Sequence, residues 1–428
     1  MKILRGYATC VAMLMIAMTA SRTHAADVLD ATIGTITPVV IDLRHRIHQF
    51  PELSNREFKT SALVAEHLRS LGLEVRTGVA HTGVVGIFKG DRPGPVIALR
   101  ADMDALPVVE ESTLPFRSLE RSTYNGQDVG VMHACGHDIH TAVLLGVAST
   151  LAAQRNSLAG TVVFVFQPAE EGAPEGEEGG AALMLKQGVF GDLKPTAMFA
   201  LHTTTDFPAG KIGYVAGAAA ASADTFNVTI NGTSSHAAFP ELSVDPVVIG
   251  AQAVLGLQTI VARNLSAFEP VVVSTATFHA GVRGNIIPAT ATFGGTVRVF
   301  SPDARDLVER RMREIINGIA QAGGATADID YRRGTPPLVN DAQLMEESVP
   351  VLKQALGSDN VVLTKPVMAA EDFSYFANEI PSVFLFLGVV KPGTTSGPNH
   401  SPTFQADDAS IPVGIKAITS LVLDRMQR

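Results

Sequence analysis

The sequence has little charge and few basic residues, and both shortages narrow the classes of protein it can encode. Of its 428 residues, 18% are charged and 46% are hydrophobic. This composition excludes disorder driven by charge and low hydrophobicity, and the length predicts two to three domains at roughly 150 residues each. There are 33 Lys and Arg against 42 Asp and Glu, a net charge of −9. Nucleic acid is therefore not expected as a partner.

The sequence signatures of several common chemistries are also missing. There is no Gly-rich loop of the dinucleotide-binding type between a strand and a helix, no phosphate-binding loop and no nucleophile-elbow serine. Hydride transfer, phosphoryl transfer and acyl-serine chemistry are therefore disfavoured.

The amino-terminal 25 residues have the pattern of a secretory signal. Lys2 and Arg5 supply positive charge, Val11–Ala20 is a short apolar run, and Thr23–Ala25 is a small-residue cleavage pattern. We therefore expect a secreted or periplasmic mature protein, with an uncleaved anchor as the alternative. No later stretch reaches the roughly 18 to 20 uninterrupted apolar residues of a membrane span, so none is expected in the mature protein.

Only two cysteines are present, and one of them is surrounded by metal-binding side chains. Because Cys10 lies in the predicted signal, Cys135 is left alone and cannot form an internal disulfide. The segment His133–His140 holds this cysteine with three histidines and an aspartate, a density that core packing does not explain. Cys135 and His137, two positions apart on a Gly-containing turn, can both face one metal ion.

Strand-like and helix-like segments alternate from Ala26 to about Tyr214. Val84–Phe88 and Val96–Leu99 are short apolar runs bounded by Gly and Pro, whereas Glu57–Leu71 has helical spacing and Thr141–Ala153 is a helix of small residues. This alternation predicts an α/β catalytic domain with a mixed sheet flanked by helices.

The pattern changes after Gly217–Ala223, a low-complexity run that suggests a hinge. From there the order is strand, helix, two strands, helix, strand, in which the third strand is Thr290–Val299 and the second helix is Pro302–Ala322. This order predicts an inserted ferredoxin-like α+β domain. The predicted division is a signal peptide at 1–25, a catalytic domain at 26–215 and 335–428, and a lid and dimerisation domain at 216–334. The segment Gly172–Gly180 is typical of a flexible acidic loop.

Two pairs of carboxylates follow predicted strands. Asp102 and Asp104 come after the strand ending at Leu99, where an i, i+2 pair can bind a metal or orient another ligand. Glu170 and Glu171 come after a buried strand, and neighbouring residues in a turning chain point apart. One of the two can then bind metal while the other acts as general base. Taken alone, each pair is also compatible with solvated loop acids.

Two histidines complete the set of candidate ligands. His202 ends an apolar strand and His400 lies in the loop Gly397–Pro402. Either histidine alone is more typical of a structural residue, but their occurrence together with the other motifs favours metal binding.

These motifs resemble the co-catalytic metallopeptidase and aminoacylase family, in its branch of hippurate hydrolases, auxin-conjugate hydrolases and bacterial N-acyl-amino-acid amidohydrolases. The strings around Cys135 and Glu170 are highly specific to this branch. The matching segments follow the family's order along nearly the whole mature chain: Arg100–Pro107, His133–His140, Phe166–Gly172, Gly232–Pro240, Asn285–Pro288, Glu371–Phe373 and Asn399–Phe404.

The resemblance implies a centre of two divalent metal ions that activate water against an amide carbonyl. Glu170 would be the general base, and Asp104 would orient a ligand. Related branches have a metal-binding His in place of Asp102 and a bridging carboxylate in place of Cys135, and this departure leaves the preferred metal open. Thiolate and imidazole ligands favour zinc, harder ligands would suit manganese, and nickel and cobalt are further alternatives. The implied metal ligands are Cys135, His137, Glu171, His202 and His400.

The resemblance also implies three roles for residues of the inserted domain. His236 would reach the active site of a partner subunit and stabilise the oxyanion, which implies a homodimer or higher homo-oligomer. Asn285 and Arg298 are candidates for holding the substrate carboxylate, with a solvated strand charge as the alternative for Arg298.

The sequence therefore predicts a metal-dependent amidohydrolase that cleaves N-acyl or N-aroyl amino acids into a carboxylic acid and a free amino acid. A carboxypeptidase or dipeptidase on the same metal centre is the nearest alternative. A periplasmic solute-binding protein is the non-enzymatic alternative, although a pure binder needs no general base at Glu170. The loop after Glu171 is longer than is usual in this branch, and the sequence offers no physical reason for it.

Overall fold

The computed structural model describes residues 27–155 and 158–427, and the predicted signal at 1–25 lies outside the described residues. The helices are α1 (27–49), α2 (Phe58–Ser70), α3 (His137–Ala152), α4 (Gly180–Lys186), α5 (Pro246–Thr259), α6 (Pro302–Ala322), α7 (Ala342–Leu356), α8 (Ser374–Glu379) and α9 (Ser410–Gln427).

The strands fall into one large sheet, one four-stranded sheet and three small ribbons. They are β1 (Glu74–Val79), β2 (Gly83–Lys89), β3 (Arg92–Asp102), β4 (Arg121–Tyr124), β5 (Gln127–Gly130), β6 (Ala159–Gln167), β7 (Ala197–Pro208), β8 (Ile212–Tyr214), β9 (Ala218–Ala220), β10 (Asp224–Asn231), β11 (Ser235–His236), β12 (Val271–Ala280), β13 (Ile286–Ile287), β14 (Thr290–Val299), β15 (Thr326–Arg333), β16 (Leu338–Val339), β17 (Val361–Leu363) and β18 (Ser382–Val390).

The chain forms two compact units. The first comprises the described residues up to Tyr214 together with Asp341–Thr364 and the described residues from Ile380 onwards. Its sheet has eight strands in the order β1-β2-β6-β3-β7-β18-β8-β17. The central strands β6, β3, β7 and β18 run parallel to one another, whereas β2 pairs antiparallel with β6 and β8 pairs antiparallel with β18. The prediction of a mixed sheet flanked by helices is confirmed.

The core of the first unit lies on both faces of this sheet, which explains the near-continuous apolar runs in the sequence. Val162–Phe166 in β6 and Val383–Leu385 in β18 are buried at every position, because helices cover the central strands on both sides. Helix α3 is buried from His137 to Leu151, so the predicted helix of small residues is an internal one.

Helix α3 begins at His137, one turn before the predicted start at Thr141. The first turn was missed because it consists of polar residues without apolar periodicity. The residue before this turn, Gly136, has a φ of 86°, which lies in the left-handed region. A Cβ at Gly136 would also lie 2.5 Å from Thr203 Oγ1, so a larger residue does not fit there. This turn brings Cys135 and His137 to the amino-terminal end of a buried helix.

The second unit comprises Val215–Asn340 and Lys365–Glu379. Its antiparallel sheet has the strand order β12-β14-β10-β15, and α5 and α6 pack their apolar sides against it. The order strand, helix, two strands, helix, strand is that of a ferredoxin-like sandwich, as the sequence predicts. Asp245 caps α5 by accepting from Val247 N at 2.8 Å, and Ser301 caps α6 by accepting from Ala304 N at 3.2 Å.

The division of the chain differs from the predicted one in two places. Residues 335–340 and 365–379 belong to the second unit instead of the catalytic part, because β16 pairs with β9 and Val367 N donates to Ala219 O. The run Gly217–Ala223, predicted as a hinge, contains strand β9, and Ala219–Ser222 are buried. Alanine repeats carry no periodicity that would reveal such a strand.

One helical stretch among the described residues, Pro246–Asn264, is long and apolar enough to cross a membrane by length and composition alone. Gln252 and Gln258 interrupt it, which is why the criterion of an uninterrupted apolar run does not detect it. Its inward side belongs to the core of the second unit through Ile249, Ala253, Leu257 and Ile260.

Candidate metal centre

The candidate ligands of the first unit gather at one edge of the eight-stranded sheet. Strands β3, β6 and β7 run in the same direction, so their carboxyl ends share this edge, where Asp102 is in register with Gln167. His202 was predicted at the end of its strand, but β7 continues to Pro208 with His202 in register with Phe386 of β18. The apolar run ends at His202 because burial decreases there, and not because the strand ends. The residues before it are buried, and His202 is half-buried.

The thiol of Cys135 lies at the middle of the candidate ligands. Its Sγ is 3.3 Å from His202 Nε2 and 3.2 Å from His400 Nε2. Asn399, which precedes His400, places its Nδ2 3.7 Å from the same sulfur and donates to Cys135 O at 3.3 Å. These contacts join three segments that are far apart in the sequence around one buried thiol.

Two groups of potential metal ligands share Cys135. One is Cys135, His137 and His202, the other is Cys135, Glu171 and His400, and within each group the ligand atoms lie within 4.8 Å of one another. His400 Nε2 is 3.0 Å from Glu171 Oε1, and His137 Nε2 is 3.9 Å from carboxylate oxygens of both Glu170 and Glu171. The five predicted ligands therefore converge, with Glu170 at their side.

Hydrogen bonds to carbonyl oxygens orient two of the histidine rings. His137 Nδ1 is 2.7 Å from Asp104 O, and His202 Nδ1 is 2.7 Å from Thr203 O. A carbonyl oxygen can only accept, so in each ring Nδ1 carries a hydrogen. The Nε2 lone pair of each ring is then directed at the centre, as in metal-binding histidines of known type.

His140 is held differently and is not oriented as a ligand. Its Nε2 accepts from Thr203 N at 2.8 Å, and its Nδ1 donates to Asp102 Oδ1 at 2.5 Å. The other oxygen of Asp102 is 2.6 Å from Arg100 Nη1. Both residues thus use their polar atoms within a buried network behind the ligands.

Asp104 connects two of the candidate ligands. Its carbonyl accepts from His137 Nδ1, and its Oδ2 accepts from Glu171 N at 3.0 Å and from Ser54 Oγ at 2.8 Å. Asp104 thus contacts two candidate ligands, and its orienting role stays a prediction. Sequence reasoning missed Ser54, because a lone serine in a loop carries no metal-site signal.

The turn that presents Glu170 and Glu171 is strained and supported by a buried acid. Ala169 has a φ of 53°, which is uncommon for a residue with a Cβ, and its N donates to Glu57 Oε1 at 2.9 Å. Burial and the nearby charge of Asp104 raise the pKa of Glu57 to about 8. Sequence reasoning missed Glu57 as well, since it only marks the start of α2 in the helical pattern.

The electrostatics of the cluster favour cations. Burial opposes ionisation of Cys135, yet His202, His137 and His400 together hold the pKa of this thiol well below its usual range. Hydrogen bonds to Cys135 and Glu171 raise the pKa of His400 to about 10. His400 therefore holds a proton beside these anions, and metal binding to such a site displaces it.

A buried nitrogen atom without a hydrogen-bond partner also indicates that these residues fit divalent metal ions. His137 Nε2 is buried and has no hydrogen-bond partner among the described residues. A buried nitrogen that faces a thiolate and two carboxylates without a bond of its own is satisfied by a cation.

The predicted residues of the second unit do not all lie together. His236 in β11 is in register with Ile286, and Ala237 N donates to Asn285 O, so His236 and Asn285 share one small ribbon. Both side chains are exposed. Arg298 lies instead on β14 of the four-stranded sheet, where its Nη1 donates to Thr296 Oγ1 at 2.6 Å.

A mixed α/β sheet with thiolate, imidazole and carboxylate ligands at its carboxyl edge is the arrangement of a metal-dependent hydrolase. The chain matches peptidase family M20/M25/M40 over residues 98–424, and it belongs to this family.

Relatives with similar sequences include a carboxypeptidase, a deacetylase and an amino acid hydrolase. Thermostable carboxypeptidase 2 of Saccharolobus solfataricus is 38% identical over 388 residues, 90% of this chain and 94% of its own. N-acetyl-L-cysteine deacetylase of Bacillus subtilis is 35% identical over 89% of this chain and 86% of its own. IAA-amino acid hydrolase ILR1-like 2 of Arabidopsis thaliana is 36% identical over 91% of this chain and 85% of its own.

Solved structures give the same assignment. The YXEP protein of Bacillus subtilis, a dinuclear metal-binding peptidase of the M20 family, superposes with a TM-score of 0.78. It is 33% identical, and the match covers 92% of this chain and 99% of that protein. The present protein is therefore a metal-dependent hydrolase of this family.

Proposed function

We propose that the protein hydrolyses the amide bond of N-acyl or N-aroyl amino acids and releases a carboxylic acid and a free amino acid. The observation that carries this proposal is the pair of ligand groups sharing Cys135, with the carboxylate of Glu170 beside them. Two of the similar proteins, an N-acetyl-L-cysteine deacetylase and an IAA-amino acid hydrolase, act by name on amides of this kind.

The residues proposed to hold the metal ions are the two groups described above. Bound divalent cations would supply polarisation of the amide carbonyl and would lower the pKa of water from 15.7 to about 7. Zinc and manganese are proposed first, because thiolate and imidazole suit zinc and carboxylates suit manganese; nickel and cobalt are the other candidates.

Glu170 is proposed to move the proton. Its carboxylate takes a proton from the attacking water and passes it to the leaving amine nitrogen, so that the amide C–N bond breaks as the acid forms. The side chain is 8% exposed, which limits competing solvent, and it lies 3.9 Å from His137 Nε2, within reach of a molecule held by the same ligands. Asp104 keeps His137 and the backbone of Glu171 in position throughout.

The second unit is proposed to hold the rest of the substrate. Asn285 and Arg298, which lie on different sheets of this unit, are each a candidate for binding the α-carboxylate of the amino acid, and His236 would stabilise the oxyanion of the tetrahedral intermediate. Exposure of His236 and Asn285 on one ribbon supports this assignment, since both side chains are accessible to a ligand or a partner.

A carboxypeptidase is the second candidate function, because relatives of this name are 38% identical to the chain. A dipeptidase would use the same centre. A solute-binding protein without catalysis is the third, and its prediction is ligand binding that survives removal of metal.

The deciding experiment uses the purified protein stripped of metal by a chelator and reloaded separately with zinc, manganese, cobalt or nickel. We expect the stripped protein to be inactive and the reloaded protein to release free amino acid from hippurate-like substrates. Dipeptides measured in parallel provide the comparison. A higher kcat/KM for dipeptides would replace the proposal with a peptidase, and full activity after stripping would overturn the metal mechanism.

We also propose a homodimer formed through the second unit. Helix α5 exposes Val248 and Leu255, of which Leu255 is 71% exposed, and β12 is one of the two edge strands of the four-stranded sheet. An apolar helix face beside an open strand edge is suited to a second copy of itself. Leu255→Glu is expected to give monomers in sedimentation experiments.

Subunit mixing tests whether His236 serves the partner's active site. Each of the variants Glu170→Gln and His236→Ala is expected to be nearly inactive as a homodimer. In a mixed dimer, the subunit carrying His236→Ala keeps Glu170 and receives His236 of the partner subunit, so it regains activity. Statistical mixing restores about a quarter of the wild-type rate. No recovery in dimers shown to be mixed would place His236 in its own active site or in none.

Export is proposed from residues 1–25 alone. Expression in a Gram-negative host, followed by mass spectrometry of the periplasmic fraction, is expected to find a mature amino terminus at Ala26. Full-length protein in the membrane fraction would instead indicate an uncleaved anchor.

A further inference from the structure

We propose that a cavity beside the candidate metal centre binds the acyl group of the substrate and selects uncharged, largely apolar acyl groups of about six carbons or one aromatic ring. The cavity has a volume of about 280 Å³ and lies within the first unit, between the β4–β5 hairpin and the loop that follows Glu171. It is called the acyl cavity below. This inference rests on the proposed amidohydrolase function and adds the part of the substrate that the cavity accepts.

The acyl cavity adjoins the metal centre through one shared residue. Glu171, one of the candidate ligands, forms part of its wall, and Ala105 and Leu106 follow directly after Asp104. A group attached to an amide carbonyl held at the ligands therefore has space to extend into the cavity. The cavity lies next to the ligands because several of its lining residues are sequence neighbours of Asp104 and Glu171.

The wall of the cavity is preformed. Ala105 N donates to Glu52 O at 2.8 Å, and Leu106 exchanges two backbone hydrogen bonds of 3.0 Å with Met132. The hairpin that closes the other side is a regular ribbon with Ser122 in register with Val129. Because backbone bonds fix these walls, little ordering is required when a ligand enters.

The charges of the cavity exclude the carboxylate half of the substrate. Arg56 is the one basic residue among those that line it, and Glu177 engages its guanidinium through contacts of 2.6 and 3.1 Å. Asn55 Nδ2 also donates to Glu177 at 3.0 Å. The α-carboxylate of the amino acid would thus find no cation here that is not already paired with Glu177, whereas a neutral acyl group needs no cationic partner.

The same contacts give the acidic loop Gly172–Gly180 a physical role. The loop was predicted to be flexible, but Glu177 ties it to Asn55 and Arg56, and Glu178 O accepts from Asn55 Nδ2 at 3.1 Å. Gly172 and Pro174 of the loop contribute to the cavity wall. The start of this loop thereby forms one side of the subsite.

The size and lining indicate which acyl groups fit. A cavity of about 150 Å³ is sufficient to bind benzene, so this one accommodates a benzoyl or hexanoyl group with room for its carbonyl end. Leu53, Leu106, Pro107 and Tyr124 supply apolar contact, and hydroxyl groups of Ser122 and Thr123 lie at the hairpin side. Each methylene buried against such a lining is expected to raise kcat/KM about 4-fold.

The test compares N-acetyl-, N-hexanoyl- and N-benzoyl-L-alanine with wild type and two tryptophan variants. Ser122→Trp fills the cavity, whereas Gln127→Trp places the same bulk on an exposed hairpin residue outside the lining. We expect Ser122→Trp to lower kcat/KM for the benzoyl and hexanoyl substrates at least 10-fold and for the acetyl substrate less than 2-fold. Gln127→Trp is expected to leave all three values within 2-fold.

The outcomes separate this inference from the proposed function. If wild type cleaves none of the three substrates with any metal, the proposed function itself is wrong. If wild type cleaves them but Ser122→Trp lowers all three equally, or none, the acyl group binds elsewhere and the inference is overturned. Metal content measured on each variant ensures that loss of the metal centre is not mistaken for loss of the subsite.

Discussion

The division of labour between Glu170 and Glu171 can be tested by changing each carboxylate to its amide. Glu171 Oε1 lies 3.0 Å from His400 Nε2 and belongs to a ligand group, while Glu170 lies beside the ligands. Glu170→Gln removes the proton acceptor and keeps the shape, so metal should remain bound. Glu171→Gln removes an anionic ligand, so the metal held with His400 should be lost first.

The expected magnitude for Glu170→Gln follows from its proposed role. General-base catalysis contributes a factor of about 10² to 10⁴, which corresponds to about 3 to 5 kcal/mol of activation free energy. The nearly buried position of Glu170 leaves little room for a solvent molecule to replace it, so we expect the upper half of this range.

The assay combines steady-state kinetics at saturating metal with elemental analysis after desalting. Glu175→Gln, an exposed acid of the neighbouring loop, is the matched control and should behave as wild type. Glu171→Gln should contain about half the wild-type metal. The reasoning is refuted if Glu170→Gln keeps more than about a tenth of kcat or loses its metal.

Three further predictions concern residues around and beyond the centre. His236→Ala should lower kcat with unchanged metal content; a fall in metal content would make His236 a ligand. Burial lowers the pKa of His133 to about 3, so its neutral form stabilises the fold fully above pH 6.5, and this contribution declines as the pH falls toward 3. Between pH 8 and pH 5 the free energy of unfolding, measured with denaturant, should fall by about 2 kcal/mol less in His133→Phe than in wild type, because the variant lacks this histidine. An equal fall in both proteins would contradict the lowered pKa of His133. In the second unit, Asp224→Ala breaks a buried pair with Arg305 at 2.9 Å and should cost about 3 to 5 kcal/mol, whereas Asp330→Ala at an exposed pair should cost about 1 kcal/mol or less.

Much of the fold can be predicted from local pattern. The predicted strand Thr290–Val299 and helix Pro302–Ala322 coincide with β14 and α6, because apolar periodicity and a serine cap act over a few residues. The hairpin β4–β5 was missed, since its exposed polar strands have no apolar alternation to detect. Strand β9 was missed because alanine is compatible with every element.

The chemistry of the centre was predictable in kind and not in arrangement. The spacing of Cys135 and His137 and the adjacency of Glu170 and Glu171 are local facts that identify ligand-bearing segments. Their meeting with His400, 265 positions after Cys135, depends on the fold around the central sheet. From the sequence, His400 could be grouped with Cys135 only through the resemblance to a known family. The structure shows directly that the two side chains are in contact.

The sequence by itself determined which segments carry reactive side chains and which helices and strands frame them, because side-chain chemistry and apolar period are properties of neighbouring residues. Only the tertiary structure decided which ring nitrogens face the centre, how the loop after Glu171 is tied down by Arg56, and that a cavity lies next to the ligands. These features depend on contacts between segments distant in the chain, and no local pattern encodes the position of one segment relative to another.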